Sequence, residues 1–157
     1  MAQLFFPEDD VQKATLIRWT CQLLPRAADL DPEMCEPIGV LDPTRQRLLA
    51  VAIFHNYMRA YDRIEITAAS KSPRWCSRGA IRALLHYPFV QLGCRKLEAY
   101  IECTNEPALA FARRVGMVRE GVLRHHFDTN AHGHVYTMMA KEYRKSRWAP
   151  AVELETV

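Results

Sequence analysis

Between residues 63 and 103 the chain reads strand, helix, strand, and that order leaves little freedom for the fold. Arg63 to Ala68 alternates, with Ile64 and Ile66 on one face and Glu65 and Thr67 on the other. Gly79 to Leu92 then carries Ile81, Leu84, Leu85, Pro88, Phe89 and Leu92 as a helical stripe. Pro88 is expected to kink this helix or end its first segment, and Gly93 to cap it. Lys96 to Cys103 returns to a strand pattern, apolar at Leu97, Tyr100 and Ile101. A helix between two strands of one sheet carries the chain back to its starting edge, so the strands run parallel.

The flanking segments surround that pair with hairpins. Residues 8 to 24 follow a helical period through Val11, Ala14, Thr15, Arg18, Trp19 and Leu23, with acids in the first turn. Ile38 to Val40 and Leu48 to Tyr57 pair as a hairpin across Asp42-Pro43-Thr44. Asn105 caps a short helix that Gly116 closes. Arg119 to Phe127 and Val135 to Tyr143 form a last hairpin, turned at "NAHGH" (130 to 134). The order α-β-β-β-α-β-α-β-β implies a mixed α/β (α+β) fold. Its twisted sheet is mostly antiparallel, with a central parallel pair and helices around it. At 157 residues the chain suits one domain, read as 1–147, with a polar tail at 148–157 expected to fray. Pro25 to Pro37 reads as a loop.

A formal charge of +3 does not suit a dedicated nucleic-acid binder, although "ARR" at 112–114 with Arg119 and Arg124 could make a local basic patch. The five cysteines are odd in number and lack CxxC spacing, which argues against a disulfide framework and fits a reducing cytoplasm. Glu8, Asp9 and Asp10 interrupt any secretory pattern, and the longest apolar run, Leu48 to Phe54, is too short to span a bilayer.

The stretch "SPRWCSRGAIRALL" (72 to 85) places Arg74, Arg78 and a bare-backbone Gly79 at the mouth of the central helix. It reads either as an ordinary helix cap or as an anion-holding loop. A diphosphate needs several donors converging with no side chain in the way. Backbone N–H groups at a helix N-terminus supply them, with the helix dipole behind. Gly79 and Ala80 permit close approach, and Arg74 and Arg78 add charged donors. The dipole contributes only about 0.3–1 kcal/mol at an exposed site, so the arginines and the N–H groups must carry most of the affinity.

Three motifs, in order and spacing, resemble the GCN5-related N-acetyltransferases (GNAT superfamily): "RWCSRGA" (74 to 80), "NEPALAFARRVGM" (105 to 117) and "REGVLRHHF" (119 to 127). "RWCSRGA" is similar to that family's acyl-CoA phosphate loop, "NEPALAFARRVGM" to its Asn-led helix, and "REGVLRHHF" to the strand that follows. The resemblance covers about two thirds of the chain, from Pro37 to Arg144. It implies the GNAT fold and acetyl-CoA as co-substrate, held by Arg74, Ser77, Arg78, Gly79 and Ala80. Backbone groups of Ile66, Thr67 and Ala68 would polarise the thioester and pair with the pantetheine arm, and Asn105, Ala108 and Phe111 would lie beside it. Two departures stand out. Ser77 replaces the loop's first glycine, where it serves as an N-cap or faces a phosphate. Ala112 stands where many relatives have the tyrosine that protonates the departing thiolate. Tyr100 or Tyr136 could replace it, and spacing does not choose between them.

Direct attack on a thioester requires a neutral amine and a base that takes its proton. Glu65, on the polar face of its strand, is the first candidate, against an ordinary solvated glutamate or an ion pair with Arg63. His55 titrates in a useful range, and Asn56 could orient a substrate, though a strand histidine is more often a packed residue. His125, His126, His132 and His134 invite a metal reading, but adjacent strand residues point to opposite faces and no metal is expected. Cys76 is read as filler.

The expected activity is therefore N-acetyl transfer from acetyl-CoA to a primary amine on a protein N-terminus, a lysine or a small molecule. The wording of the motifs is nearest to the ribosomal-protein-acetyltransferase-like or phage-encoded branch. The alternative is a degenerate GNAT-fold module that binds CoA or a partner without turnover. Acceptor pockets in such folds are built from the N-terminal helix region and the last hairpin, here residues 19–36 and 125–136. The expected partners are acetyl-CoA and an amine-bearing acceptor, with no membrane and no nucleic acid; a homodimer is left open.

Overall fold

The computed structural model describes residues 3–151. A seven-stranded sheet runs in the order β1-β2-β3-β4-β5-β7-β6. The strands are β1 (Gln3–Phe5), β2 (Glu36–Asp42), β3 (Arg47–Met58), β4 (Arg63–Ser70), β5 (Lys96–Glu102), β6 (Val118–Asp128) and β7 (Ala131–Met139). The helices are α1 (Asp10–Leu23), α2 (Arg78–His86), α3 (Glu106–Val115) and α4 (Ala140–Lys145). Every neighbouring pair is antiparallel except β4 and β5, which the crossover through α2 makes parallel.

β3 is apolar along most of its length because both of its faces are covered. Val51 and Ile53 pack with Leu16 and Ile17 of α1. Ala50, Ala52 and Phe54 alternate onto the other face, in a core with Ile81, Leu84 and Leu85 of α2. That face is the larger one and also takes Leu97, Met138 and Tyr143.

Pro88 ends the regular part of α2. It has no N–H to give the preceding turn, and the chain opens into a π-helical turn, Tyr87–Gln91, in which the Leu92 N–H reaches back to Tyr87 O at 3.0 Å. Gly93 follows at φ +65°, the left-handed conformation that lets the chain leave the helix.

Four expectations are corrected. β1 precedes the expected first helix and extends the sheet beyond β2, pairing Gln3 with Leu41; a three-residue edge strand is too short to show a period. The last strand stops at Met139, where the Glu142 carboxylate accepts from the Met139 N–H at 2.9 Å and starts α4. The final hairpin turns one step earlier than "NAHGH". Asp128 pairs with Ala131, so Thr129 and Asn130 make the turn and Gly133 lies inside β7. The tail does not fray from 148. Trp148 is buried, its indole N–H donates to Val115 O at 2.7 Å, and Arg82 donates twice to Arg147 O. Residues 152–157 of the expected tail lie outside the described residues.

Candidate active site

The parallel ladder between β4 and β5 is short. It pairs Arg63 with Lys96, Ile64 with Leu97 and Glu65 with Glu98, and then stops. Beyond that point β4 stays with β3 as far as Ser70, and β5 stays with β7 as far as Glu102. The strands therefore part at their carboxyl ends, the end at which α/β sheets bind ligands. The chain leaves β4 for α2 and leaves β5 for α3 at that same end, so both helix N-termini stand there.

The bend before α2 spans Ser72 to Ser77. Ser77 accepts from the Ala80 N–H at 3.2 Å, so its hydroxyl acts as the helix cap. Ala80 is buried in the core. Gly79 is exposed, and a methyl group added there would meet nothing within 4 Å, which leaves the first turn open to an incoming group. Arg74 and Arg78 are exposed on either side of the cap. These residues suit a diphosphate, by an open turn and two unburied guanidiniums. Trp75 turns inward and packs on Phe111 with ring centroids 4.9 Å apart, so the Phe111 ring is taken up by a neighbour from the bend itself. Asn105 caps α3 by accepting from the Ala108 N–H at 3.3 Å. A cleft of about 140 Å³ opens beside the bend, lined by Cys76, Ile81, Phe111, Arg114, Arg147 and Trp148 among others.

A further cleft, of about 190 Å³, lies where the strands part. His55 and Thr67 form its floor with Glu65. Tyr100 and His126 make one wall, and Arg26, Ala27 and Leu30 close it from the segment after α1. Ile66 points to the opposite face, into the α2 core, and Ala68 is exposed.

Each cleft residue is held by a local device. Asn56 takes φ +51° where β3 slips register between His55 and Met58, a bulge asparagine tolerates, and its amide acts on the Glu65 carboxyl from there. His55 Nε2 lies 2.8 Å from the Thr67 hydroxyl. Its Nδ1 is buried without a hydrogen-bond partner, 3.8 Å from Glu65 Oε2. Burial first, and the positive charge of Arg26 second, bring His55 down to about 4. The imidazole is neutral near pH 7, so the approach to Glu65 is not an ion pair there. Burial, opposed by the Asn56 hydrogen bond and aided by the Glu98 charge, pushes the Glu65 carboxyl up. Tyr100 donates to Glu98 at 3.1 Å, and burial beside Glu98 and Glu65 raises its hydroxyl to about 12. Tyr136 sits elsewhere, buried against Leu109 and Ala112 and accepting from Arg113 at 3.3 Å.

Gly133 explains the position of His126. A Cβ at residue 133 would stand 3.1 Å from the His126 ring, tighter than an ordinary contact, so glycine there leaves the ring room to lie over β7. His126 then stacks on Tyr100 at 5.1 Å. The glycine that reads as part of a turn is instead a seat for a cleft wall. The His125 backbone N–H donates to His132 Nδ1 at 2.9 Å, and among the described residues no three His, Cys, Asp or Glu side chains group as metal ligands.

No family model matches the sequence, and no curated protein matches it either. Solved structures do. A chimera of the Vibrio cholerae spermidine N-acetyltransferase SpeG and hSSAT superposes with TM-score 0.72 at 14% identity, over 90% of this chain and 98% of that one. The spermidine/spermine N-acetyltransferase SpeG of Vibrio cholerae, in complex with manganese ions, gives TM-score 0.66 at 16% identity, over 92% and 97%. This chain has the GNAT fold. At such identities the likeness establishes the architecture, and within that architecture the parted strands, the capped bend and the Glu65 cleft occur at one end of the sheet.

Nothing in the sequence singles out Arg26, and His126 enters it only within a histidine cluster weighed for metal, although both fall in the segments expected to wall the acceptor pocket, 19–36 and 125–136. No local signal marks Arg26, which lies in a one-turn helix, Pro25–Asp29, inside a stretch that otherwise reads as loop.

Proposed function

We propose that this protein is an acetyl-CoA-dependent N-acetyltransferase acting on a primary amine. The observation that carries the proposal is the parting of β4 and β5 after Glu65 and Glu98, with a carboxylate-bearing cleft at the fork. Acetyl-CoA supplies an acetyl group activated as a thioester. Arg74, Arg78 and the open N–H groups around Gly79 hold its diphosphate, and the backbone edge of Ile66, Thr67 and Ala68 orients the arm, with Asn105, Ala108 and Phe111 alongside. Glu65 takes the proton of the amine. Its burial makes it a better base than a solvated glutamate, and Asn56, exposed at the neighbouring bulge, orients the incoming amine. His55, neutral and with its buried Nδ1 facing Glu65, positions that carboxylate. The acceptor classes are a protein N-terminus, as in the ribosomal-protein branch, a lysine, or a small-molecule amine. The alternative is a module that binds CoA without turnover. It is favoured by one observation: Ala112, where relatives carry a tyrosine, is buried under Tyr136 and offers no proton donor.

Thiol release by the purified chain with acetyl-CoA and a panel of primary amines decides between them. Amine-dependent release is expected. Glu65→Gln should lower it by about 10²-fold or more, within the range for loss of a positioned base, with coenzyme affinity unchanged. Tight CoA binding with no release on any amine would establish the binding module instead.

A further inference from the structure

We infer that the acceptor is a small molecule carrying an anionic group beside its amine, of the amino-acid type, rather than a polyamine. This rests on the transferase reading and concerns the same cleft. Two charges of opposite sign border it. Glu65 lies at the fork, and Arg26 stands on the far wall, close enough for its charge to act on His55. Arg26 is held in place, its guanidinium 4.2 Å over the Phe127 ring and donating to Tyr100 O at 3.3 Å. Among the described residues no carboxylate lies within ion-pair distance of it, and Glu102 acts on it only from further off. A guanidinium without a carboxylate partner at a cleft rim suits a carboxylate ligand, which it meets in a planar fork. The same charge repels a second ammonium group. Between the poles, Ala27, Leu30, Tyr100 and His126 present an aliphatic and aromatic surface for a side chain. At about 190 Å³ the cleft is smaller than the 300–1,000 Å³ typical of drug-sized ligands. The Glu65 carboxylate, with the buried His55 Nδ1 3.8 Å from its Oε2, marks the amine end of the cleft.

The transfer balances with these residues alone and the two substrates. Starting from the ammonium form, one proton passes to Glu65. The freed nitrogen bonds to the acetyl carbon as the C–S bond breaks, and its second proton leaves with the sulfur.

Matched pairs test the inference: phenylalanine against phenethylamine and leucine against isopentylamine, with spermidine alongside, all read as kcat/KM. The amino acid should exceed its decarboxylated partner by about tenfold or more, the worth of one charge-assisted contact. That ratio should collapse in Arg26→Met, which keeps an apolar stem on Phe127, and return in part in Arg26→Lys. Calorimetry should show coenzyme affinity unchanged in both. Preference for the decarboxylated amines or for spermidine would overturn the inference and leave the transferase reading standing. Amine-independent thioester consumption throughout would overturn both.

Discussion

His55 shows how one position serves packing and chemistry together. Its ring is 7% exposed, Nε2 is committed to Thr67, and the site keeps it neutral. A histidine whose folded-state pKa is depressed to about 4 contributes stability that is complete above its unfolded value near 6.5. That contribution is lost as pH falls from 6.5 toward 4, because the unfolded chain takes up the proton first. The loss is on the order of 3 kcal/mol for a shift of this size. Glu65, shifted upward, contributes with the opposite slope, so the two partly offset in wild type. The effect therefore belongs to a comparison. Urea unfolding of wild type and His55→Gln between pH 4 and 7 should show the variant gaining relative stability at the acid end. A constant difference across that range would mean that His55 titrates alike in the folded and unfolded chains.

Among the elements, the carboxyl-terminal segment contributes more than its composition suggests. α4 and the residues after it close the end of the molecule where α2 and α3 meet. Trp148 lies in the main core and donates to Val115 O, and Arg147 O receives two bonds from Arg82. Trp148→Ala removes a buried aromatic and leaves Val115 O without its donor. It should cost about 3–5 kcal/mol, visible as a lowered denaturant midpoint with an unchanged slope. A loss below about 1 kcal/mol would mean that the tryptophan is not anchored there. The sequence conceals this anchor because a single tryptophan in "KSRWAP" shows no period, and its burial depends on a groove that two distant helices make. By contrast α2 and α3 are legible at both ends, since their caps are local: Ser77 and Asn105 at the starts, Gly93 and Gly116 after them. Gly133 reads as a turn residue for the same local reason, and only the sheet register reveals it as space for the His126 ring.

For the whole molecule, the order of strands and helices is enough to state a mixed sheet with one parallel pair, because a crossover through α2 allows nothing else. The candidate site is legible in part. Glu65, His55 and Thr67 share a face by simple alternation across β3 and β4, and Asn56 joins them through a bulge that no pattern announces. Arg26 and His126 reach the cleft through tertiary packing alone. For the fork to work as a transferase site, the bend ahead of α2 must receive a coenzyme's diphosphate. Isothermal titration of acetyl-CoA into wild type and Arg78→Glu tests that most directly. Saturable binding at one site per chain is expected in wild type, weakened at least about tenfold in the variant as a charge-assisted contact becomes repulsive, with the variant's thermal unfolding unchanged. Equal affinity in the two proteins, or no binding to wild type, would contradict this role for the bend and the transferase reading with it.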